Sequence, residues 1–338
     1  MEPTNNTRQL RLPADVLAIL RCPRCGRNLS GHGDGLVCAA CAASYPLVNG
    51  VVRFAGSEDY AGSFGFQWAA HARTQLDDEE NHESEMAFRS RTGLVPDDLK
   101  GKLVLDVGCG IGRFAEVASR WGAQVVGVDL STAAEVAAQN LADRANVTIF
   151  QADVFSLPFA PASFDYIYSI GVLHHTPNCE LAFKALPRLL KPGGTIVVWL
   201  YSGYNRWYRF SDVYRRLTCR MPQRWLHALC RVAVPLYYVH KGLRRVPVIG
   251  RVCSGGLYQL LPISLHPKAD ARVLDTFDWY SPKYQSKHTY EEVFRWFEDC
   301  GLGTLQVLHE PISVRGCKPV AGDGTSPADE KCVESRAL

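Results

Sequence analysis

The chain has no long apolar run anywhere in its 338 residues. A helix that spans a membrane needs roughly 20 consecutive apolar residues, and no segment approaches that length. The segment from Met1 to Asp15 also lacks the apolar core of a signal peptide. No grouping of residue types suggests an acyl-transfer triad or a catalytic metal site. The sequence therefore predicts a cytoplasmic protein, long enough for one large domain or two small ones.

Cysteine, by contrast, is abundant, with 12 residues. Cys22 and Cys25 form one C-x2-C pair, and Cys38 and Cys41 form a second one after a spacer of 12 residues. Each pair makes a tight turn that directs two thiolates at one point, and four sulfur ligands complete a closed tetrahedral zinc site. Two disulfides or a redox pair are the alternatives, which a reducing compartment disfavours. The pattern predicts a structural zinc ribbon over residues 17–55.

The other eight cysteines have no ligand spacing. We predict that they are small buried apolar residues, with the first of them simply part of a glycine-rich loop. They are Cys109, Cys179, Cys219, Cys230, Cys253, Cys300, Cys317 and Cys332.

That glycine-rich loop is the most informative part of the chain. An apolar run ends in Asp106 and Val107, and Gly108, Gly110 and Gly112 follow at alternating positions. The residues behind the loop have helical spacing. The pattern predicts a buried strand, a tight turn and a helix N-terminus, where backbone N–H groups point outward and glycine lets a ligand approach closely.

The glycine spacing distinguishes between two classes of cofactor. A dinucleotide fingerprint, Gly-x-Gly-x-x-Gly, seats a pyrophosphate on the helix N-terminus. Here the third glycine comes one residue earlier, and Asp106 would repel a pyrophosphate but suits a cation or an amino group. A second strand ends at Asp129, where a carboxylate can bind a ribose diol. S-adenosylmethionine carries a sulfonium, an ammonium and a ribose but no phosphate, so we predict this cofactor.

Further motifs follow the loop in order: Gln151–Val154, Leu157–Phe159, Phe164–Ile167, Gly171–His175 and Leu190–Thr195. Together with the loop, they resemble the class I S-adenosylmethionine-dependent methyltransferases, in the quinone-biosynthesis-like type 11 family. The resemblance implies an α/β fold with a Rossmann-like seven-stranded methyltransferase sheet. The zinc ribbon would precede this sheet at its N-terminal side, and a helical insert would follow strand 5.

The resemblance also implies roles for individual cofactor residues. Asp106 would face the methionine amino group or orient the loop, and Asp129 would hold the ribose hydroxyls. Asp153 and the Val154 backbone would bind the adenine edge, against which other apolar side chains pack. The full set that the resemblance implies is Asp106, Gly108, Gly110, Gly112, Asp129, Leu130, Asp153, Val154 and Ile170.

The catalytic residues are predicted from position and chemistry. His174 and His175 follow the fourth strand, and histidine titrates near neutral pH, so either can act as a base. In related enzymes this pair is often architectural, and that alternative stays open. Gln67 and Trp68 either line the pocket as part of a lid or pack between domains. The other residues predicted on the substrate side are Tyr201, Tyr204, Asp278, Trp279, Tyr280 and His288.

Alternating strand and helix patterns predict a parallel sheet covered on both faces. Strands are predicted near 103–107, 124–128, 147–151, 164–169 and 195–200, with a final antiparallel hairpin at about 304–309 and 312–316. Helices are predicted near 113–121, 132–142 and 179–190, and a capped helix begins after Thr289. The predicted parts are a zinc ribbon at 17–55, lid and linker helices at 56–99, a cofactor-binding core at 100–202, a substrate-capping insert at 203–286, a completion of the core at 287–320 and a disordered tail at 321–338.

The insert is strongly basic. Between Tyr204 and Pro267 there are eleven Arg or Lys residues and one acid, Asp212, although the net charge of the whole chain is only +3. Aromatic and aliphatic residues alternate with these charges. Three interpretations are open: a solvated face of a capping subdomain, a surface that lies on anionic lipid, and a surface that follows a phosphate backbone.

These features predict a methyltransferase that acts on a small-molecule or lipid-type intermediate. The predicted surface for a further partner, a membrane or RNA, is residues 204–267. A ribosomal or transfer RNA base methyltransferase is the first alternative. The ribbon offers few charges to RNA, namely Arg21, Arg24 and Arg27, and the Pro-Pro-Tyr/Phe signature of many amino-directed enzymes is absent. The second alternative is a non-catalytic zinc-ribbon adaptor, which the complete glycine loop disfavours.

Overall fold

The computed structural model describes residues 12–33, 35–56, 60–72, 74–78, 82–204 and 209–320. The tail predicted at 321–338 lies outside the described residues. The strands are β1 (Ser30–His32), β2 (Gly35–Val37), β3 (Ser44–Val48), β4 (Val51–Arg53), β5 (Leu103–Val107), β6 (Gln124–Asp129), β7 (Val147–Gln151), β8 (Phe164–Ile170), β9 (Leu190–Trp199), β10 (Gly303–Val307) and β11 (Ser313–Cys317). The helices are α1 (Ala14–Ile19), α2 (Gly62–Ala70), α3 (Glu83–Thr92), α4 (Pro96–Leu99), α5 (Arg113–Arg120), α6 (Ala133–Asn140), α7 (Cys179–Lys184), α8 (Arg209–Thr218), α9 (Gln223–Cys230), α10 (Ala233–Leu243), α11 (Ile249–Leu260), α12 (Ala269–Tyr280) and α13 (Tyr290–Asp299).

The sheet has the order β1-β2-β3-β4-β7-β6-β5-β8-β9-β11-β10. Strands β5 to β9 run parallel to one another, and β11 runs antiparallel to both of its neighbours, β9 and β10. The order in which strands are added changes side at β5, because β6 pairs with one edge of β5 and β8 with the other. The predicted α/β fold, closed by an antiparallel hairpin, is confirmed. Its carboxyl edge at β5 is where open sheets of this kind bind ligands.

The N-terminal strands join this sheet directly. Strands β1 to β4 form an antiparallel meander, and β4 pairs in parallel with β7, with Val52 opposite Phe150. The Phe54 and Phe150 rings lie 5.7 Å apart, edge to face. Val16 and Leu20 are fully buried in the same core cluster as the central strands. The sheet is therefore longer than predicted, because the outer backbone edge of β7 is available to pair with β4.

Two local differences from the prediction have backbone causes. The helix predicted near 179–190 ends at Lys184, and a short 3-10 turn, Pro187–Leu189, follows it. Proline lacks an N–H group and cannot continue an α-helix from the preceding turn. Strand β9 begins at Leu190 instead of near 195, with an irregular register opposite β8 between Phe164 and Tyr166.

The insert after β9 is helical. Helix α12 packs against α8, α9 and α10, and α10 packs against α11. A small core of Leu226, Cys230, Val273 and Phe277 joins α9 to α12. Among the described residues, no helix combines the length and apolarity needed to cross a membrane.

The prediction that the remaining cysteines are buried is only partly right. Cys109, Cys179 and Cys230 are buried, but Cys253 is exposed on α11. Cys219, Cys300 and Cys317 are half-buried, and Cys332 lies outside the described residues. Spacing alone cannot show which face of a helix a residue occupies, and this is where the prediction was wrong.

Candidate active site

A cavity of about 540 Å³ opens at the carboxyl ends of the central parallel strands. Parallel strands bring their carboxyl ends to one edge of the sheet, so the loops after β5, β6, β7 and β8 meet there. The residues of these loops that line the cavity are Gly108, Cys109, Gly110, Ile111, Asp129, Leu130, Ala152, Val154, Gly171 and Val172. Ile170, at the end of β8, also lines it.

Glycine is required at three positions of the loop after β5. Gly108, Gly110 and Gly112 all have positive φ angles, of 81°, 53° and 86°, which other residues adopt only with strain. A Cβ at Gly108 would overlap the side chain of Val172, and one at Gly110 would lie 3.4 Å from Trp68 Nε1. The loop thus forms a cradle whose three glycine positions leave no room for a larger side chain.

Asp129 is tied to this cradle. Its Oδ2 accepts a hydrogen bond from the Gly110 N–H at 2.9 Å, and its Oδ1 accepts one from the Ser131 N–H at 2.9 Å. Burial raises the pKa of the Asp129 carboxyl. A carboxylate has about four lone-pair positions, so hydroxyl groups of a ligand can still bind here.

Asp106 lies beneath the loop and outside the lining of the cavity. It is only 2% exposed, and the Tyr168 hydroxyl and the Ala115 backbone N–H lie within reach of its carboxylate. Burial raises the pKa of this carboxyl to about 8.

The loop after β7 forms another wall. Asp153 caps a short 3-10 turn by accepting a hydrogen bond from the Phe155 N–H at 3.1 Å. The Tyr60 hydroxyl donates to the same carboxylate at 3.3 Å. Val154 and Ala152 line the cavity beside it, whereas Asp153 itself is behind the lining.

Residues 105–198 match the family model described as a methyltransferase domain. This segment is a methyltransferase domain. One relative of this methyltransferase domain is the ubiquinone biosynthesis O-methyltransferase of Paracidovorax citrulli, which is 39% identical over 118 residues, or 34% of this chain and 48% of the relative. Another is the chloroplastic tocopherol O-methyltransferase of Arabidopsis thaliana, 28% identical over 189 residues, or 49% of this chain and 53% of the relative.

The chain spans about half the length of these curated relatives. Among solved structures, phosphoethanolamine N-methyltransferase 2 of Haemonchus contortus is similar, with 20% identity and a TM-score of 0.41. That match covers 71% of this chain and 42% of the other.

The segment before the methyltransferase domain covers the glycine loop. Gln67 and Trp68 of α2 both line the cavity. Helix α2 packs closely on α6, since a Cβ at Gly65 would overlap the Thr132 side chain. Asn140 Nδ2 donates to the Ala72 carbonyl at 2.9 Å and so holds the end of this segment near the loop.

The two predicted histidines have different surroundings in the methyltransferase domain. His175 lines the cavity, and its Nδ1 lies 3.0 Å from the Tyr284 carbonyl oxygen. A carbonyl only accepts, so Nδ1 carries the hydrogen and Nε2 is the basic nitrogen. His174 is fully buried behind the lining and stacks on Tyr201 at 3.9 Å, with no hydrogen-bond partner for either ring nitrogen among the described residues. Burial lowers the pKa of both imidazoles.

The substrate side of the cavity includes only some of the predicted residues. Tyr201, Asp278 and Trp279 line it, and the Tyr201 hydroxyl donates to Asp278 Oδ2 at 2.7 Å. The other three candidates are held elsewhere: Tyr280 donates to the Pro262 carbonyl, Tyr204 donates to Glu291, and His288 lies 2.7 Å from the Ser286 hydroxyl.

Sequence reasoning missed two arginines that line the cavity, Arg91 of α3 and Arg113 of α5. Arg113 donates to Gln75 Oε1 at 2.7 Å, and the Arg91 guanidinium lies 4.0 Å from the Trp199 ring centroid. Neither forms an ion pair with a carboxylate in the part of the chain that the structure describes, and burial lowers the pKa of Arg113 to about 10. The sequence did contain one signal for Arg113. Arg113 is the first residue of a helix, where cations are usually unfavourable.

The four cysteines of the ribbon lie together. The sulfur atoms of Cys22, Cys25, Cys38 and Cys41 are all within 4.8 Å of one another. The Tyr45 hydroxyl lies 3.1 Å from Cys22 Sγ. Four sulfur donors at such distances fit one tetrahedral metal ion of the zinc type.

Proposed function

We propose that the protein transfers a methyl group from S-adenosylmethionine to a small-molecule or lipid-type acceptor. The observation that carries the proposal is the glycine cradle of residues 108–112 with Asp129 hydrogen-bonded to it at 2.9 Å. The matched relatives are named for quinone and tocopherol substrates, which favours an acceptor of this chemistry. The cofactor supplies a methyl group on a sulfonium, with a neutral thioether as leaving group.

The residues present fit this cofactor. Asp129 would bind the ribose hydroxyls, and Asp106, buried behind the lining, would orient the glycine loop. Leu130, Val154 and Ile170 would contact the adenine as apolar walls. The main tasks of the protein are then to orient the acceptor and to exclude water, since the leaving group needs no activation.

We propose further that Arg91 and Arg113 hold the carboxylate of the cofactor. Arg113→Gln is expected to weaken S-adenosylmethionine binding by on the order of tenfold, because a charge-assisted hydrogen bond is lost. Isothermal titration measures this, with Arg89→Gln on α3 as the matched control, since Arg89 faces solvent and pairs with Glu85. Unchanged cofactor affinity with a raised KM for the acceptor would assign the arginines to an anionic group of the acceptor instead.

We assign proton removal from the acceptor to Nε2 of His175. His175→Gln is expected to lower kcat by about 10²-fold or more, the usual contribution of general base catalysis. His174→Phe, which keeps the stack on Tyr201, should leave kcat nearly unchanged. Because burial lowers the pKa of His175, the wild-type rate should stay constant around neutral pH and fall only as acid protonates Nε2 below that pKa. Equal losses in both variants would indicate that the pair is architectural.

The four cysteines are proposed to hold a structural zinc ion, because all four positions of the site are filled by protein ligands. Such a site has no open position for substrate or water, so it takes no part in methyl transfer.

Methyl-labelled S-adenosylmethionine and a fractionated cell extract test the proposed function. Label in the organic or water-soluble fraction supports it, and label in RNA would replace it with RNA methylation. No S-adenosylmethionine binding by calorimetry would point to the non-catalytic adaptor. Peripheral contact with a membrane through residues 204–267 belongs to the proposal, because a lipid-type acceptor is reached at such a surface.

A further inference from the structure

The helices of the insert expose an unusual amount of apolar surface. Of the 20 large hydrophobic side chains exposed among the described residues, 13 lie between 213 and 261. Eleven of these are aliphatic and only two are aromatic. They are Val213, Leu217, Trp225, Leu229, Val232, Tyr238, Val239, Val246, Val248, Ile249, Val252, Leu260 and Leu261. Such a concentration of exposed apolar residues marks an interaction surface.

Almost all charged side chains of the same helices are cationic. Their one acid, Asp212, lies 3.3 Å from Arg215 and also pairs with Lys287, so its charge is already matched. Eight further cations are exposed and form no ion pair with a described residue: Arg216, Arg220, Arg224, Arg231, Lys241, Arg244, Arg245 and Arg251. We call this combination of apolar and basic side chains, on α8 to α11 and the turns beside them, the basic apolar face.

Helix α9 shows how this face is oriented. Leu226 and Cys230 are buried against Phe277 of α12. Trp225 and Leu229, four residues apart on another side of α9, are 66% and 54% exposed. An α-helix with two apolar sides, of which only one packs on the protein, has a second side that needs a partner.

This face is one helix layer away from the active-site cavity. Helix α12 packs against α8, α9 and α10, and it supplies Leu274, Asp275, Asp278 and Trp279 to the cavity lining. A partner bound to the outer side of the insert helices would therefore be separated from the substrate side of the site by α12 alone.

We propose that the basic apolar face docks on the surface of an anionic lipid bilayer, a role that rests on the proposed methylation of a lipid-type acceptor. Charge complementarity selects an anionic partner, since the exposed cations attract acidic headgroups. The aliphatic side chains select lipid over RNA, because Val, Leu and Ile have no stacking function toward bases. Trp225 suits the headgroup level, where one end of its ring is wet and the other apolar.

Flotation of the full chain with vesicles tests this surface. Wild type is expected to bind vesicles of phosphatidylcholine with 30% phosphatidylserine at least about tenfold more tightly than phosphatidylcholine alone. Arg244→Glu with Arg245→Glu should abolish that preference, and Leu229→Ser should weaken binding to both vesicle types. Leu181→Ser is the matched control, since Leu181 is 57% exposed and lies outside the insert. It should bind as wild type does.

Circular dichroism confirms that each variant is folded. No flotation of folded wild type would overturn the docking surface, as would wild-type binding by the Leu229 and arginine variants. If RNA binds the same face and vesicles cannot displace it, the result would overturn the lipid docking surface in favour of a nucleic-acid partner. Vesicle binding without S-adenosylmethionine binding would remove the proposed function and leave the docking surface intact. Methyl transfer without vesicle binding would support the proposed function and overturn the docking surface.

Discussion

Asp129→Ala is expected to weaken S-adenosylmethionine binding by on the order of 100-fold, because two hydrogen bonds to a charged acceptor are lost. The same substitution removes the acceptor for the Gly110 N–H, which the carboxylate holds at 2.9 Å. The loop would then be less well ordered for its ligand. Isothermal titration of the cofactor measures the effect, and Asp143→Ala, at an exposed position, is the control.

Asp129→Asn separates charge from geometry at the same position. The amide oxygen can still accept from Gly110, so the loop should keep its shape while affinity falls. In wild type, burial raises the pKa of Asp129, so affinity should fall on acidification earlier than it would for an exposed aspartate. The Asn variant should not show this pH dependence. Wild-type affinity in the Ala variant, with an unchanged melting temperature, would remove Asp129 from the ribose site.

Combined substitution of Cys22 and Cys25 by Ser is expected to release one zinc ion per chain and to destabilise the protein strongly. Binding of structural zinc supplies about 10–16 kcal/mol in small zinc modules, and that free energy is also folding free energy. Here the loss should reach beyond the ribbon, because β4 pairs with β7 and Val16 and Leu20 belong to the main core.

Metal analysis and thermal unfolding of the full chain check this result. Cys219→Ser and Cys253→Ser are controls, since these cysteines lie outside the sulfur cluster. We expect both to keep zinc and the wild-type melting temperature. A wild-type chain that purifies without metal, at full stability, would contradict the structural zinc site.

The features that could be predicted are those encoded by neighbouring residues. The glycines at 108, 110 and 112 carry the conformational requirement of the loop within five residues, and Asp129 directly ends its strand. The capped start of α13 is equally local, since Thr289 and Glu292 complete a capping box.

The features that could not be predicted depend on distant pairings. Arg91 and Arg113 line one cavity although 21 residues separate them, and periodicity contains no information about that meeting. The pairing of Val52 with Phe150 joins positions that are 98 residues apart. His174 and His175 are adjacent in sequence, yet a single 3-10 turn directs one into the core and the other toward the cavity.

The insert illustrates the same limit at the level of a helix face. Composition predicted a basic segment with interleaved apolar residues, but it could not assign Leu226 to the core and Trp225 to the outside. That assignment depends on where α12 lies, and α12 begins about 40 residues further along the chain.

The pairing of β4 with β7 has a consequence for the behaviour of the protein in solution. Without the N-terminal meander, Val147–Gln151 would be the outermost strand of a parallel sheet, with its backbone N–H and C=O groups unpaired along that side. Open strands of this kind recruit other chains and promote aggregation. The ribbon covers that edge, so a chain that fails to acquire its metal would risk self-association as well as unfolding.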